Sequence, residues 1–133
     1  MMIERVATCR CGQLQAKCTG DPVRVSVCHC LECQKRSGSA FAAQARWPEQ
    51  QVEVIGKYSE WSQLGDSGGR ATFRFCAECG STVAYVNHGM PGTIAIPIGG
   101  FADPKFPSPQ FSVYEERKHS WVAVLGDDVE RQE

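Results

Sequence analysis

VCHCLECQKRSG, residues 27–38, places three cysteines within six positions, Cys28, Cys30 and Cys33. So dense a run of thiols belongs either to a disulfide framework or to a metal site, and the choice between them decides what kind of fold carries it. Working outward, Cys9 and Cys11 lie in CRCG, residues 9–12, and Cys76 and Cys79 in FCAECGS, residues 75–81. The eighth cysteine, Cys18, stands apart in QLQAKC and reads as a small buried hydrophobe. A framework of four disulfides needs an oxidising compartment and an export signal. The opening MMIERVATCRCG carries a charge of each sign by residue 5 and has no apolar core of a signal peptide. Reduced thiols holding metal, in a soluble cytoplasmic protein without membrane spans, are therefore the expectation.

With 133 residues and 42% hydrophobic content, the chain suits one domain, residues 1–133, with a sizeable core. Fourteen Lys and Arg against fifteen Asp and Glu give a net charge of −1, which removes the electrostatic footprint of a general nucleic-acid binder while leaving room for a local basic patch. Alternation in residues 14–18 and 23–27 predicts half-buried strands. Further β-rich segments are 41–47, 51–55, 71–75, 82–86, 93–98 and 110–116. Turn signals fall at 20–22, 65–69, 88–92 and 103–109. Only residues 31–36 suit a helical turn, so the chain is expected to be mainly β, with about nine short strands and a polar C-terminus, GDDVERQE, that frays.

The flanking residues suggest how seven clustered thiols divide. Cys11 precedes Gly12 and Cys79 precedes Gly80, and a glycine there allows a positive φ that turns amide N–H groups toward sulfur. Those two pairs look like halves of one closed, four-cysteine structural zinc site. Cys28, Cys30 and Cys33 remain, and three protein ligands are how catalytic zinc is held. A second closed site, completed by Cys18, His88 or His119, stands as the alternative. His29 is the poor candidate, because in an extended Cys-His-Cys its ring points away from the flanking sulfurs.

Three thiolates around a divalent ion leave one negative charge and a soft centre suited to an incoming thiol. Lys35 and Arg36 follow directly and would offset that charge while pairing with ligand carboxylates; a solvated basic pair is the plain alternative. Ser37, Gly38 and Ser39 offer backbone N–H donors to the same ligand, or form an ordinary loop. Glu32, between two ligands, reads better as exposed than as a proton carrier.

The succession CxCG, then CHCxxC with its basic pair and a small-residue segment leading to Phe41, then FCxxCGS, then an aromatic strand with Arg117 and Trp121, resembles the GFA family. That family holds the glutathione-dependent formaldehyde-activating enzyme and the related domain of centromere protein V. The resemblance spans Cys9 to Trp121. It implies the Mss4-like fold, mainly β with short antiparallel strands in packed sheets around zinc. It also implies two zinc ions, one structural on Cys9, Cys11, Cys76 and Cys79 and one catalytic on Cys28, Cys30 and Cys33. The implied activity is that of a carbon–sulfur lyase, condensing glutathione with formaldehyde to S-hydroxymethylglutathione. Two other readings stand beside it: a non-catalytic zinc-binding interaction module, and a zinc enzyme acting on another thiol and aldehyde.

Overall fold

The structure, a computed structural model, describes residues 2–64 and 69–133. The turn expected at 65–69 lies outside the described residues except for Gly69. Eleven strands and one short α-helix are present among the described residues. In chain order they are β1 (Glu4–Thr8), β2 (Gln15–Thr19), β3 (Arg24–Cys28), α1 (Leu31–Ser37), β4 (Ala42–Pro48), β5 (Val52–Ile55), β6 (Tyr58–Leu64), β7 (Arg70–Cys76), β8 (Thr82–Asn87), β9 (Thr93–Pro97), β10 (Phe111–Val113) and β11 (Glu130–Arg131). No helix among the described residues is long and apolar enough to cross a membrane.

Two sheets result. β1, β2 and β5 form a three-stranded antiparallel sheet, and the other eight run in the order β11-β10-β3-β4-β9-β8-β7-β6. Antiparallel pairing joins β3 through β4, β9, β8 and β7 to β6, whereas β10 pairs in parallel with both β3 and β11. The C-terminus does not fray as its polarity suggested: the Glu130 N–H donates to Gln110 O and the Gln132 N–H to Ser112 O, both at 2.9 Å. Backbone pairing on an open strand edge is indifferent to side-chain polarity.

Period-2 alternation sorts the large sheet's two faces. Val25, Ala45, Trp47, Ala84, Ile94 and Ile96 face the small sheet and meet Ala7, Leu14, Ala16 and Cys18 in one buried core. Cys18 is the small hydrophobe expected of it. Trp47, wholly buried, donates from Nε1 to Gly20 O at 3.0 Å, so its polar atom is not orphaned where its ring contributes on the order of 3 kcal/mol of burial. The intervening residues point the other way: Ser26, Cys28, Gln44, Arg46, Ala95, Tyr85 and Phe73. That second face, roofed in part by α1, carries the cleft.

Candidate metal centres and active site

The four-cysteine group joins two hairpin-like turns far apart in sequence. Cys9 and Cys11 follow β1, and Cys76 closes β7 with Cys79 in the next turn. Cys9 Sγ lies 3.6 Å from Cys11 Sγ, and Cys11 Sγ 3.7 Å from Cys76 Sγ. Gly12 and Gly80 have φ of 88° and 84°, the left-handed conformation expected of both. Their own N–H groups bond the carbonyls of Cys9 and Cys76, and neighbouring amides reach the sulfurs: Leu14 N–H to Cys9 Sγ, Glu78 and Cys79 N–H to Cys76 Sγ, each at 3.3 Å. Gln13 Nε2 adds a 2.9 Å bond to Cys76 Sγ while Gln13 is bracketed by both backbone groups of Lys57. Backbone and side-chain bonds from Ser81 hold the Cys79 thiol down at about 5. Desolvation raises Cys76, but the amides of Cys79 and Glu78 and the Gln13 side chain outweigh it and keep that thiol below its ordinary range. Cys76 and Cys79 are thus poised as thiolates, whereas Cys11, lowered by the Gln13 backbone, is raised on balance to about 11 by the Cys9 thiol and burial.

The three-cysteine group comes from one continuous stretch. Cys28 ends β3 opposite Ala42, Cys30 is the N-cap of α1 with its Sγ accepting from Cys33 N–H at 3.3 Å, and Cys33 lies in the first turn. The helix stops where Gly38 turns left-handed, φ 64°, and donates to Gln34 O at 2.9 Å. Hydrogen bonds from the Cys28 and Cys33 thiols hold Cys30 down at about 2, while Cys28 and Cys30 push Cys33 well up and Cys30 pushes Cys28 to about 11. Three sulfurs this close cannot all be thiolates unless a cation sits among them.

Both groups fit zinc. The sulfurs of each lie within 4.8 Å of one another. Tetrahedral zinc with bonds of about 2.3 Å places ligand sulfurs about 3.8 Å apart, close to the separations found in the first group. A disulfide would need about 2.05 Å, and all eight cysteines are free. Among the described residues, no fourth cysteine, histidine or carboxylate joins Cys28, Cys30 and Cys33. The side chains that might have closed the group are engaged elsewhere. Cys18 is in the core, His88 Nε2 bonds Thr72 Oγ1 at 3.0 Å, and His119 Nε2 bonds Gln34 Oε1 at 2.9 Å. His29 is wholly buried and turned away from the sulfurs. Its Nε2 lies 2.9 Å from Ser112 Oγ, which in turn donates to Glu115 Oε2, itself 3.7 Å from His29 Nε2. Burial holds His29 below its ordinary value, with Glu115 pulling the other way.

The three sulfurs open into a cleft of about 290 Å³ on the second face of the large sheet. Arg36 lines it, its guanidinium 4.7 Å from the Phe73 ring centre and 5.2 Å from that of Tyr85. Glu32 also lines it. Lys35 does not; it is exposed on the outer side of α1. Ser37 Oγ donates to Cys33 O at 2.8 Å, and Gly38 serves as the helix cap, so neither borders the cleft. The sequence reading missed Arg24, Arg46 and Arg70, and the aromatic wall of Phe73 and Tyr85. Alternation in β3 and β4 could have placed Arg24 and Arg46 on the face of Cys28, but only with the pairing register known. Desolvation pushes the Tyr85 hydroxyl up to about 12, against the pull of Arg46 and Arg36.

A mainly β fold with one group of four and one of three cysteines, each able to hold a metal ion and the smaller one bordering a cleft, defines a cysteine-rich candidate metal-binding protein. The family model described as glutathione-dependent formaldehyde-activating enzyme matches residues 4–117, and the chain belongs to that family. No curated protein matches it. A solved structure of a Rhodobacter sphaeroides protein is similar, with a TM-score of 0.54 and 17% identity over 77% of this chain and 90% of that one. That likeness bears on the fold alone.

Proposed function

We propose that this protein is a zinc-dependent enzyme of the carbon–sulfur lyase type that reversibly adds a thiol to an aldehyde, with glutathione and formaldehyde as the first pair to test. The observation that carries the reading is the three-cysteine group facing a cleft with no fourth protein ligand beside it among the described residues. Zinc held there would supply a coordination position at which an incoming thiol gives up its proton.

The chain's own residues do the remainder. Cys28, Cys30 and Cys33 hold the metal, and the His29–Ser112–Glu115 chain fixes the strand end from which two of them project. Phe73 and Tyr85 wall off water beside them. Glu32 is an acceptor for the thiol proton at the cleft. Tyr85, raised to about 12, keeps its proton at neutral pH and can donate a hydrogen bond to the carbonyl oxygen as the sulfur attacks. A sulfur–carbon bond forms, the carbonyl π pair moves to oxygen, and the oxygen takes the proton that the thiol lost. The reverse step returns both reactants.

Exchange of glutathione and formaldehyde with their hydroxymethyl adduct, followed by magnetisation-transfer NMR, tests the reading. The zinc-loaded protein is expected to accelerate exchange, and Cys30→Ser to remove the acceleration. Exchange at the uncatalysed rate with two zinc ions bound, for this pair and for a panel of other thiols and aldehydes, would refute it.

A further inference from the structure

The end of the cleft remote from the sulfurs is built from charges that no ion pair among the described residues neutralises. Cys28 faces Ala42, Ser26 faces Gln44 and Arg24 faces Arg46 across β3 and β4, and alternation places all six on the cleft side. The floor is thus a three-rung ladder from a ligand sulfur to a pair of guanidiniums, spanning about 13 Å of strand between Cys28 and Arg24. Like charges directly opposite each other disfavour strand pairing, and a buried cation without a counter-ion is costlier still.

Arg46 is only 8% exposed, and its Nη1 reaches the neutral Ser26 Oγ at 3.3 Å. Arg24 lies 3.9 Å from the Phe111 ring centre, and its buried Nε has no partner. Glu130 attracts Arg24 only from beyond ion-pair distance. Arg36 reaches over the aromatic wall with its buried Nε also unpartnered, and Arg70 adds a fourth guanidinium. No ion pair among the described residues involves any of the four. Among the described residues, Glu32, close to the sulfurs, is the only carboxylate in the lining. A chain of net charge −1 has therefore concentrated cations in one place.

We infer that Arg24 and Arg46 form an oxyanion subsite, so that the thiol used by this protein is a polyanion without an ammonium group, its sulfur at the three cysteines and a carboxylate or phosphate on the guanidinium pair. Forked guanidiniums recognise either oxyanion in bidentate fashion. Four guanidiniums repel an ammonium, and Glu32 sits at the wrong end to receive one, so glutathione, with its α-amino group, fits less well than a purely acidic thiol. The inference rests on the thiol-binding reading above for the sulfur end alone.

Isothermal titration of the zinc-loaded protein with mercaptosuccinate, 2-mercaptoethanol, cysteamine and glutathione tests it. Mercaptosuccinate is expected to bind about 10-fold or more tightly than 2-mercaptoethanol, with glutathione weaker than mercaptosuccinate and cysteamine weakest. Arg46→Gln and Arg24→Gln are each expected to erase about 10-fold or more of that advantage while leaving 2-mercaptoethanol unchanged. Succinate and inorganic phosphate, free of sulfur, are expected to raise the melting temperature of the wild type but not of the variants; the more effective one identifies the oxyanion. Because Arg46 is buried without a counter-ion among the described residues, Arg46→Gln should melt no lower than wild type in the absence of ligand. Equal binding of mercaptosuccinate and 2-mercaptoethanol, no stabilisation by either oxyanion, or an Arg46→Gln variant melting several degrees lower would overturn the assignment. Stabilisation by succinate or phosphate while no thiol binds would leave the subsite standing and sink the thiol reading instead.

Discussion

The two cysteine groups share an element and differ in what they join. Cys11 and Cys76 are 65 positions apart, so a metal on the four-cysteine group ties the β1–β2 hairpin to the β7–β8 hairpin and closes about half the chain. Cys28 to Cys33 span six residues that β3 and α1 already hold together, and a metal there closes almost no loop. The surroundings follow suit. The first group is wrapped by amides and Gln13, which aim their N–H groups at sulfur. Its counterpart stands at the head of an arginine-lined cleft. On the function proposed above, spacing along the chain would separate a stabilising ion from a working one, even where the ligand chemistry is nearly the same.

The sharpest way to break this comparison is one serine in each group. Cys79→Ser should cost most of a binding energy on the order of 10 kcal/mol that is also folding energy. Since domain stability is typically about 5–15 kcal/mol, the variant is expected to be largely unfolded by circular dichroism. Cys30→Ser should lose about 10³-fold or more in adduct exchange, roughly 4 kcal/mol of transition-state stabilisation, yet stay folded. Serine is itself a favoured N-cap, so it can accept the Cys33 N–H in place of sulfur. Equal losses of melting temperature in the two variants would erase the distinction.

A smaller effect probes the Gln13 brace without touching a ligand. Gly56 has φ 119°, and a Cβ there would lie 2.3 Å from Gln13 O. Gly56→Ala is expected to destabilise the protein by about 2–3 kcal/mol and to make the structural zinc easier to strip with chelator, because Gln13 would have to leave Cys76. Unchanged chelator resistance would detach Gln13 from the metal site.

How much of this could be read from residues alone follows the range of the interactions. The thiol partition was legible because ligand spacing and the glycines after Cys11 and Cys79 are local signals. Most strands were legible, two from alternation, including the one that places Cys28, and the others from β-branched and aromatic content. β1, β6 and β11 were not, since ERVAT and YSEWSQL offer little apolar contrast and Glu130–Arg131 is held by backbone pairing alone. The oxyanion end of the cleft was also hidden. Arg24 and Arg46 are 22 positions apart, and only the β3–β4 register brings them face to face. Lys35 and Arg36, adjacent in sequence, drew attention as a pair, yet a helix turns successive residues about 100° apart, and only Arg36 reaches the cleft.

The mildest test concerns what positions the three-cysteine group, which is backed by the His29, Ser112 and Glu115 side chains as its counterpart is braced by Gln13. Glu115 accepts from Ser112 and pairs with Lys118 Nζ at 3.2 Å, and these contacts, Ser112 foremost, hold its carboxyl below the ordinary 4.5. A carboxyl with a lowered folded value adds stability that is complete above its unfolded value and disappears as acid protonates the folded form. Glu115→Gln should therefore cost about 1–2 kcal/mol above pH ~5, and the gap to wild type should close as the pH falls below that range. Zinc loss on dilution should accelerate for one equivalent only, because Ser112 and His29 lose the anchor behind Cys28 and Cys30 while the Gln13-braced site is untouched. Both equivalents leaving faster, or a stability gap independent of pH, would mean that Glu115 supports the fold at large and not the strand end beneath the open centre.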